Sequence, residues 1–326
     1  MADAEREGSL TPEQSHARMQ EMIAELKAAS KFSRQEGDGN AEVITSPEGE
    51  QFTIRALRDP KDPAIKKLHS FMVKEFGKEE SETLTWLRHT IKEGLNDYHI
   101  VEKDGKIVAI SNTRYFDMEN GEGSPKESIL TVWHITTERR SRNKGLASEI
   151  YQSFYKTALD RAKENSHAFK GVVGEAVSSV EPFLNRMGRG RVYFEDASGN
   201  VKEVPYVCPP VDMDSATGEP LEDPVPEHIM VRLMNGKKEM PVQDLMRITE
   251  TIYIREYLGA PDNYESPDIY GKAREYNMGL LNEMRAALGG AKDGKVFFMT
   301  AAEREQKREE LSRSGKELIE MQEEGE

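Results

Sequence analysis

The sequence predicts a mixed α/β domain with a largely antiparallel sheet and helices on both of its faces. Three observations lead there. Short apolar, β-branched runs alternate with amphipathic helical stretches across residues 51–235. Asp104-Gly105 separates two apolar runs, 98–102 and 106–115, as a tight hairpin turn does. Residues 129–162 then read as a buried strand, a basic turn with one glycine, and a long helix.

In order, the chain opens with an extension, 1–50. Thr11-Pro12 starts a helix with a thin stripe of Met19, Met22, Ile23 and Leu26, suited to docking on the domain or on a second copy. Residues 33–49, rich in Gly, Asp, Asn, Glu and Pro, read as a mobile linker. The domain proper, 51–235, begins with a strand in which Phe52, Ile54 and Ala56 alternate with polar neighbours. Asp62-Pro63 starts a helix bearing Ile65, Leu68, Phe71 and Met72, and a second helix carries Leu84, Leu87 and Ile91. The hairpin and a loop, 117–126, lead into the 129–162 unit. Strand 171–177, a short helix 180–187 ended by Gly188, strands 191–195 and 201–207, a Pro-rich acidic loop 209–226 and strand 228–234 complete it. Residues 236–326 read as a second helical extension. Leu245, Ile248 and Ile252 form one stripe, Tyr276, Leu280, Leu281, Met284 and Leu288 another, with a charged helix over 301–326.

Composition narrows the function. A formal charge of −14 with no basic stripe argues against nucleic acid. No apolar run is long enough for a bilayer, so no membrane role is expected. Cys208 is the one cysteine, which excludes a disulfide framework and suits a reducing, cytoplasmic setting. The seven histidines are scattered, and no metal set with ligand spacing stands out.

The chemistry sits between residues 129 and 162. Ile129, Leu130, Val132, Trp133 and Ile135 favour a strand. Arg139, Arg140, Arg142 and Lys144 crowd the turn, and Gly145 opens a helix whose apolar face repeats through Leu146, Ile150, Phe154 and Ala158. A helix N-terminus offers amides without intrahelical partners and a positive dipole end, where a pyrophosphate fits. Glycine allows close backbone approach, and the basic residues add charge-assisted contacts.

The pattern Arg142-x-x-Gly145-x-Ala147, after a strand and before a helix, resembles the acyl-CoA-binding motif of the GNAT acetyltransferase superfamily. The order of elements over 51–235 is similar to that family's as well. The resemblance implies acetyl-CoA or another acyl-CoA as co-substrate. Ile135, Thr136 and Thr137 would hold the pantetheine arm; Arg142, Asn143, Lys144, Gly145, Leu146 and Ala147 would hold the pyrophosphate, with Arg140 sharing the role given to Arg142. It implies transfer of an acyl group to a primary amine of a small molecule or protein. The alternative is a non-catalytic acyl-CoA-binding sensor or assembly module.

Two residues are candidates for removing the amine proton. Glu175 lies on the strand after the motif helix, where burial would raise its pKa. His134 lies within the motif strand. The position where the family often carries a tyrosine as acid for the thiolate is Leu184 here. Tyr193 is its substitute or a packing residue. An asparagine frequent in the family is also missing near Val177. The N-terminal stripe and the C-terminal helices each offer a homodimer contact or a fold-back.

Overall fold

The computed structural model describes residues 10–37, 41–78, 81–118, 126–176, 180–210 and 212–321. The chain divides into two compact units, Met1–Lys170 and Gly171–Glu326. Val177 and most of the loop 117–126 lie outside the described residues.

The first unit opens with α1 (Pro12–Ala29). The Thr11 hydroxyl accepts from the Gln14 amide while the Gln14 side chain accepts from the Thr11 amide, a capping box. Its stripe is buried within the unit, with Met19 and Met22 at 0 % and 2 % exposure. Gln152 on α4 (Leu146–Glu164) donates to the Leu26 carbonyl, and Ser15 accepts from the Phe169 amide.

The sheet of this unit runs β1 (Ser33–Glu36), β2 (Ala41–Thr45), β3 (Gln51–Leu57), β4 (Asp97–Lys103), β5 (Lys106–Met118), β6 (Glu127–Thr137), with every neighbouring pair antiparallel. This corrects the expected linker at 33–49, most of which is an edge hairpin. Its strands are short and polar, so composition alone imitates a loop. Arg34 ties the hairpin down by ion pairs to Glu42 and to Glu149 on α4. On one face of the sheet lie α2 (Ala64–Phe76) and α3 (Leu84–Lys92), packed through Leu68, Phe71, Met72 and Leu87 on Tyr98, Ile100 and Ile110. From the alternate residues of β4, His99 Nε2 meets Thr157 of α4 at 3.0 Å. The two helical layers therefore lie on opposite faces, because strand side chains alternate.

In the second unit, β7 (Ala168–Ala176) pairs antiparallel through residues 171–176 with β12 (His228–Leu233). The order continues through β8 (Gly190–Glu195) and β14 (Lys295–Met299) to β13 (Glu239–Pro241). β8 also pairs with β9 (Val201–Glu203), which pairs in parallel with β15 (Leu318–Ile319). β10 (Val207–Cys208) and β11 (Val225–Pro226) make a separate pair. Helices α5 (Glu181–Arg186), α6 (Val242–Thr251), α7 (Pro267–Leu288) and α8 (Ala301–Arg313) accompany them, with a π-helix, Ile252–Leu258, directly after α6.

The C-terminal part is therefore not purely helical, as the sequence suggested. β13 and β14 are sheet members, the alternating run Lys295–Met299 pairing with β8. The charged helix stops at Arg313 rather than running on, because Gly315 at φ +68° lets the chain turn back towards β15.

Candidate active site

Three structural features converge on β6 and the turn after it, all within the first unit. The first is the helix mouth. A single turn of 3-10 helix, Arg139–Ser141, follows β6, and α4 begins at Leu146. Between them Asn143 (φ +65°) and Gly145 (φ +88°) both take the left-handed conformation. Successive amides around such residues turn inward and form an anion-binding concavity. Among the described residues, the amides of Asn143, Lys144, Gly145, Leu146 and Ala147 donate to no chain atom. Residues 142–145 are exposed, so the mouth is open. A Cβ on Gly145 would meet only Phe32, at 3.5 Å. These groups fit a phosphate-bearing ligand such as CoA.

The basic side chains divide their roles. Lys144 Nζ donates to Glu50 at 2.6 Å, which takes up much of its charge. Arg142 Nε donates to the Thr137 carbonyl at 3.1 Å, folding its side chain back along the strand end. Arg140 is exposed and makes no ion pair among the described residues. Ile135, Thr136 and Thr137 are half-buried and pair with Ser111, Ile110 and Ala109 of β5.

The second feature is a β-bulge. Asn112 of β5 faces His134, while the next residue, Thr113, faces Val132, so Trp133 is the extra residue on β6. A bulge re-aims the side chains around it and leaves one residue out of the ladder. The Arg114 guanidinium lies 4.8 Å from the Trp133 ring centre. His134 packs on Phe76, the last residue of α2, with ring centres 4.7 Å apart. Burial lowers its pKa to about 4, so it is neutral at pH 7 but a weak base.

The third feature is a carboxylate that the sequence reading did not single out. Glu82 lies just before α3. Its Oε2 accepts from the Tyr98 hydroxyl at 2.6 Å, and its Oε1 accepts from the side-chain amides of Asn96 and Asn112, each at 3.3 Å. Burial raises its pKa, opposed in turn by the Tyr98 hydroxyl, Arg114 and Asn112. Burial also pushes the Tyr98 phenol well up, so it remains a donor. No local pattern marks Glu82, since its partners lie on β4 and β5.

The second unit holds Glu175 on β7. The Tyr206 hydroxyl donates to its Oε1 and the Tyr257 hydroxyl to its Oε2. Burial raises its pKa and the two hydroxyls oppose this. Tyr257 and Tyr253 both come from the π-helix, and Tyr253 donates to the Val207 carbonyl. Such widened turns are frequent at functional sites. Cys208 Sγ lies 3.0 Å from the Tyr257 hydroxyl, and burial drives its thiol pKa upward, so it is a protonated packing residue. Glu227 joins Glu175 and Cys208 with ligand atoms all within 4.8 Å, the one grouping of metal-ligand spacing among the described residues. The sequence hides it because three separate segments contribute.

Leu184 is buried at 3 % exposure, so the position expected for a tyrosine acid is apolar. Tyr193 is fully buried with Val201, Met299 and Leu311, and packs rather than facing a cleft.

No family model and no curated protein matches the chain. Solved structures do. NAA60 of Arabidopsis thaliana, in complex with a bisubstrate analogue, is 9 % identical over 55 % of this chain and 98 % of its own, with a TM-score of 0.38. An aminoglycoside acetyltransferase from an uncultured soil metagenomic sample, in complex with sisomicin, is 11 % identical over 42 % of this chain and 85 % of its own, with a TM-score of 0.33. The ribosomal-protein-alanine N-acetyltransferase of Brucella melitensis is 16 % identical over 41 % of this chain and 86 % of its own, with a TM-score of 0.30. The chain has a mixed α/β fold with a largely antiparallel sheet, and the solved structures named above are GNAT acetyltransferases.

Proposed function

We propose that this protein is an acyl-CoA-dependent N-acyltransferase, with acetyl-CoA as its simplest co-substrate and a primary amine of a small molecule or protein as acceptor. One observation carries the reading. Five consecutive amides, Asn143 to Ala147, open without partners among the described residues at the head of a long helix. Unpaired amides of this kind in left-handed geometry serve an anion better than they serve the fold.

Arg142, Asn143, Lys144, Gly145, Leu146 and Ala147 would hold the pyrophosphate, with the free Arg140 guanidinium reaching its outer oxygens. Ile135, Thr136 and Thr137 would align the pantetheine arm. When bound, the co-substrate supplies a thioester, an activated acyl group. The chain's own part is to orient that group, to donate a backbone N–H from β6 to the carbonyl oxygen, and to accept the amine proton. The test has two arms: a rise in melting temperature with CoA, and thiol release from acetyl-CoA in the presence of amines. A protein that neither binds nor turns over refutes the reading.

A second reading is a non-catalytic acyl-CoA-binding module. It is favoured by the buried Leu184 and by a Glu175 whose two oxygens both accept tyrosine hydroxyls. Stabilisation by CoA without turnover of any amine selects it.

A further inference from the structure

We propose that the acceptor amine seats its nitrogen among Glu82, Asn112 and His134, and that Glu82 is the base that takes its proton. This rests on the acyltransferase reading above. The argument starts from the bulge. Asn112 and His134 are directly opposed across β5 and β6, so their side chains share one sheet face. That is the face of α2 and α3, because His134 packs on Phe76 and Asn112 donates to Glu82.

Two polar atoms there have no partner among the described residues: Asn112 Oδ1, on a side chain with 0 % exposure, and His134 Nδ1. The Asn112 amide orientation is fixed, since its nitrogen must be the atom that faces the Glu82 carboxylate. Buried acceptors without donors are costly and uncommon, and they persist where a ligand supplies the donor. Asn112 Oδ1, His134 Nδ1 in its unprotonated form and a Glu82 oxygen are three acceptors. An amine or ammonium group offers matching donors.

The groups facing Glu82 set its protonation. Tyr98 from β4, Asn96 just before it, and Asn112 from β5 donate to the carboxylate. Arg114 acts on it as a nearby charge, held in place because its Nε donates to the Asn96 side-chain oxygen. Tyr98 is braced in turn from α3, where Thr90 Oγ1 lies 3.1 Å from its hydroxyl. Burial makes the carboxylate more basic than a free one, as a general base needs, and these donors oppose the shift.

The step balances. The amine nitrogen bonds to the acyl carbon as the carbon–sulfur bond breaks. The electron pair leaves on sulfur, and the nitrogen's surplus proton passes to Glu82. Asn112 and His134 orient the nitrogen, and Arg114, stacked on Trp133, positions Asn96 and the carboxylate beside the bulge.

The experiment compares wild type with Glu82→Gln and Glu82→Asp. Thiol release from acetyl-CoA is followed against pH with a polyamine, an aminoglycoside and a peptide bearing a free N-terminus. Glu82→Gln is expected to lower kcat/KM by about 10²–10³-fold, to abolish its acid limb and to keep the CoA-induced rise in melting temperature. Glu82→Asp should retain the limb at a reduced rate. A readout independent of turnover is the titration of the Glu82 carboxyl carbon by NMR, assigned by its loss in Glu82→Gln, which should lie above a free glutamate. Turnover of Glu82→Gln within about threefold of wild type and with an unchanged pH profile overturns the inference alone, as does a Glu82 titration at or below the free value. Absence of wild-type turnover with CoA stabilisation intact overturns the transferase reading and this inference with it.

Discussion

Replacing Gly145 by alanine separates the fold's need for that residue from the ligand's. Gly145 sits at φ +88°, ψ 2° as the cap of α4. Space is not the obstacle, because an added Cβ meets only Phe32 at ordinary contact distance, 3.5 Å. The obstacle is the backbone. An L side chain in the left-handed region costs about 1–2 kcal/mol, or about 2–4 °C of melting temperature per kcal/mol for a unit of this size. The strain is relieved by rotating the residue out of that region, which re-aims the Gly145 and Leu146 amides. CoA at a hundredfold excess over Kd stabilises by about 2.7 kcal/mol, and a tenfold loss of affinity cuts this to about 1.4 kcal/mol. Thermal unfolding with and without CoA should therefore show a lower baseline and about half the ligand-induced rise. Asn143→Gly is the comparison: it keeps the backbone amide and the left-handed conformation, so a rise undiminished there shows that the amide rather than the Asn143 side chain meets the ligand. A Gly145→Ala protein with an undiminished CoA response refutes the assignment of these amides to phosphate.

Other outcomes follow from the same geometry. If Arg140 and Arg142 hold the pyrophosphate as proposed, Arg140→Ala with Arg142→Ala should weaken CoA binding about tenfold by titration calorimetry and make it less sensitive to added salt; an unchanged Kd counts against their role. His99 is fully buried, and desolvation first, then Arg58 and Arg161, lowers its pKa to about 3 from 6.5. The unfolded chain therefore takes up a proton below pH 6.5 that the native state refuses until about pH 3, so stability is lost as pH falls through that window. Between pH 8 and 5 wild type should lose about 2 kcal/mol more than His99→Gln in urea unfolding; parallel pH profiles would contradict the burial argument. Glu175→Gln replaces one of the two oxygens that accept tyrosine hydroxyls by an amide donor and should cost about 1–3 kcal/mol in chemical unfolding. A cost below about 0.5 kcal/mol would mean those hydroxyls find equal partners elsewhere.

Local pattern carried much of the first unit. The period of Leu146, Ile150, Phe154 and Ala158 places α4, and Asp104-Gly105 joins β4 to β5 as the turn chemistry requires. What escaped was set by distance along the chain. The β1–β2 hairpin is polar, and its strands exist because β3 offers a pairing edge and because Arg34 reaches Glu149, 115 residues away. Glu82 is ordinary in its own segment and becomes unusual only where Asn112, 30 residues on, meets it. The bulge at Trp133 is a mismatch of register between two strands, invisible in either alone. The π-helix reads as the end of an amphipathic stretch, and the acceptors that Tyr253 and Tyr257 find lie on other segments, at Val207 and Glu175.

The edge hairpin has a practical corollary. Phe32, just before β1, stands over Gly145, and Arg34 and Ser30 are fastened to Glu149 in the first turn of the motif helix. The N-terminal segment thus braces the first turn of α4 rather than merely trailing from it. A shortened chain starting at Gln51 would keep every motif residue yet leave Glu149, 2 % exposed, without Arg34 and Ser30, so trimming to the recognisable core removes the support of α4's first turn.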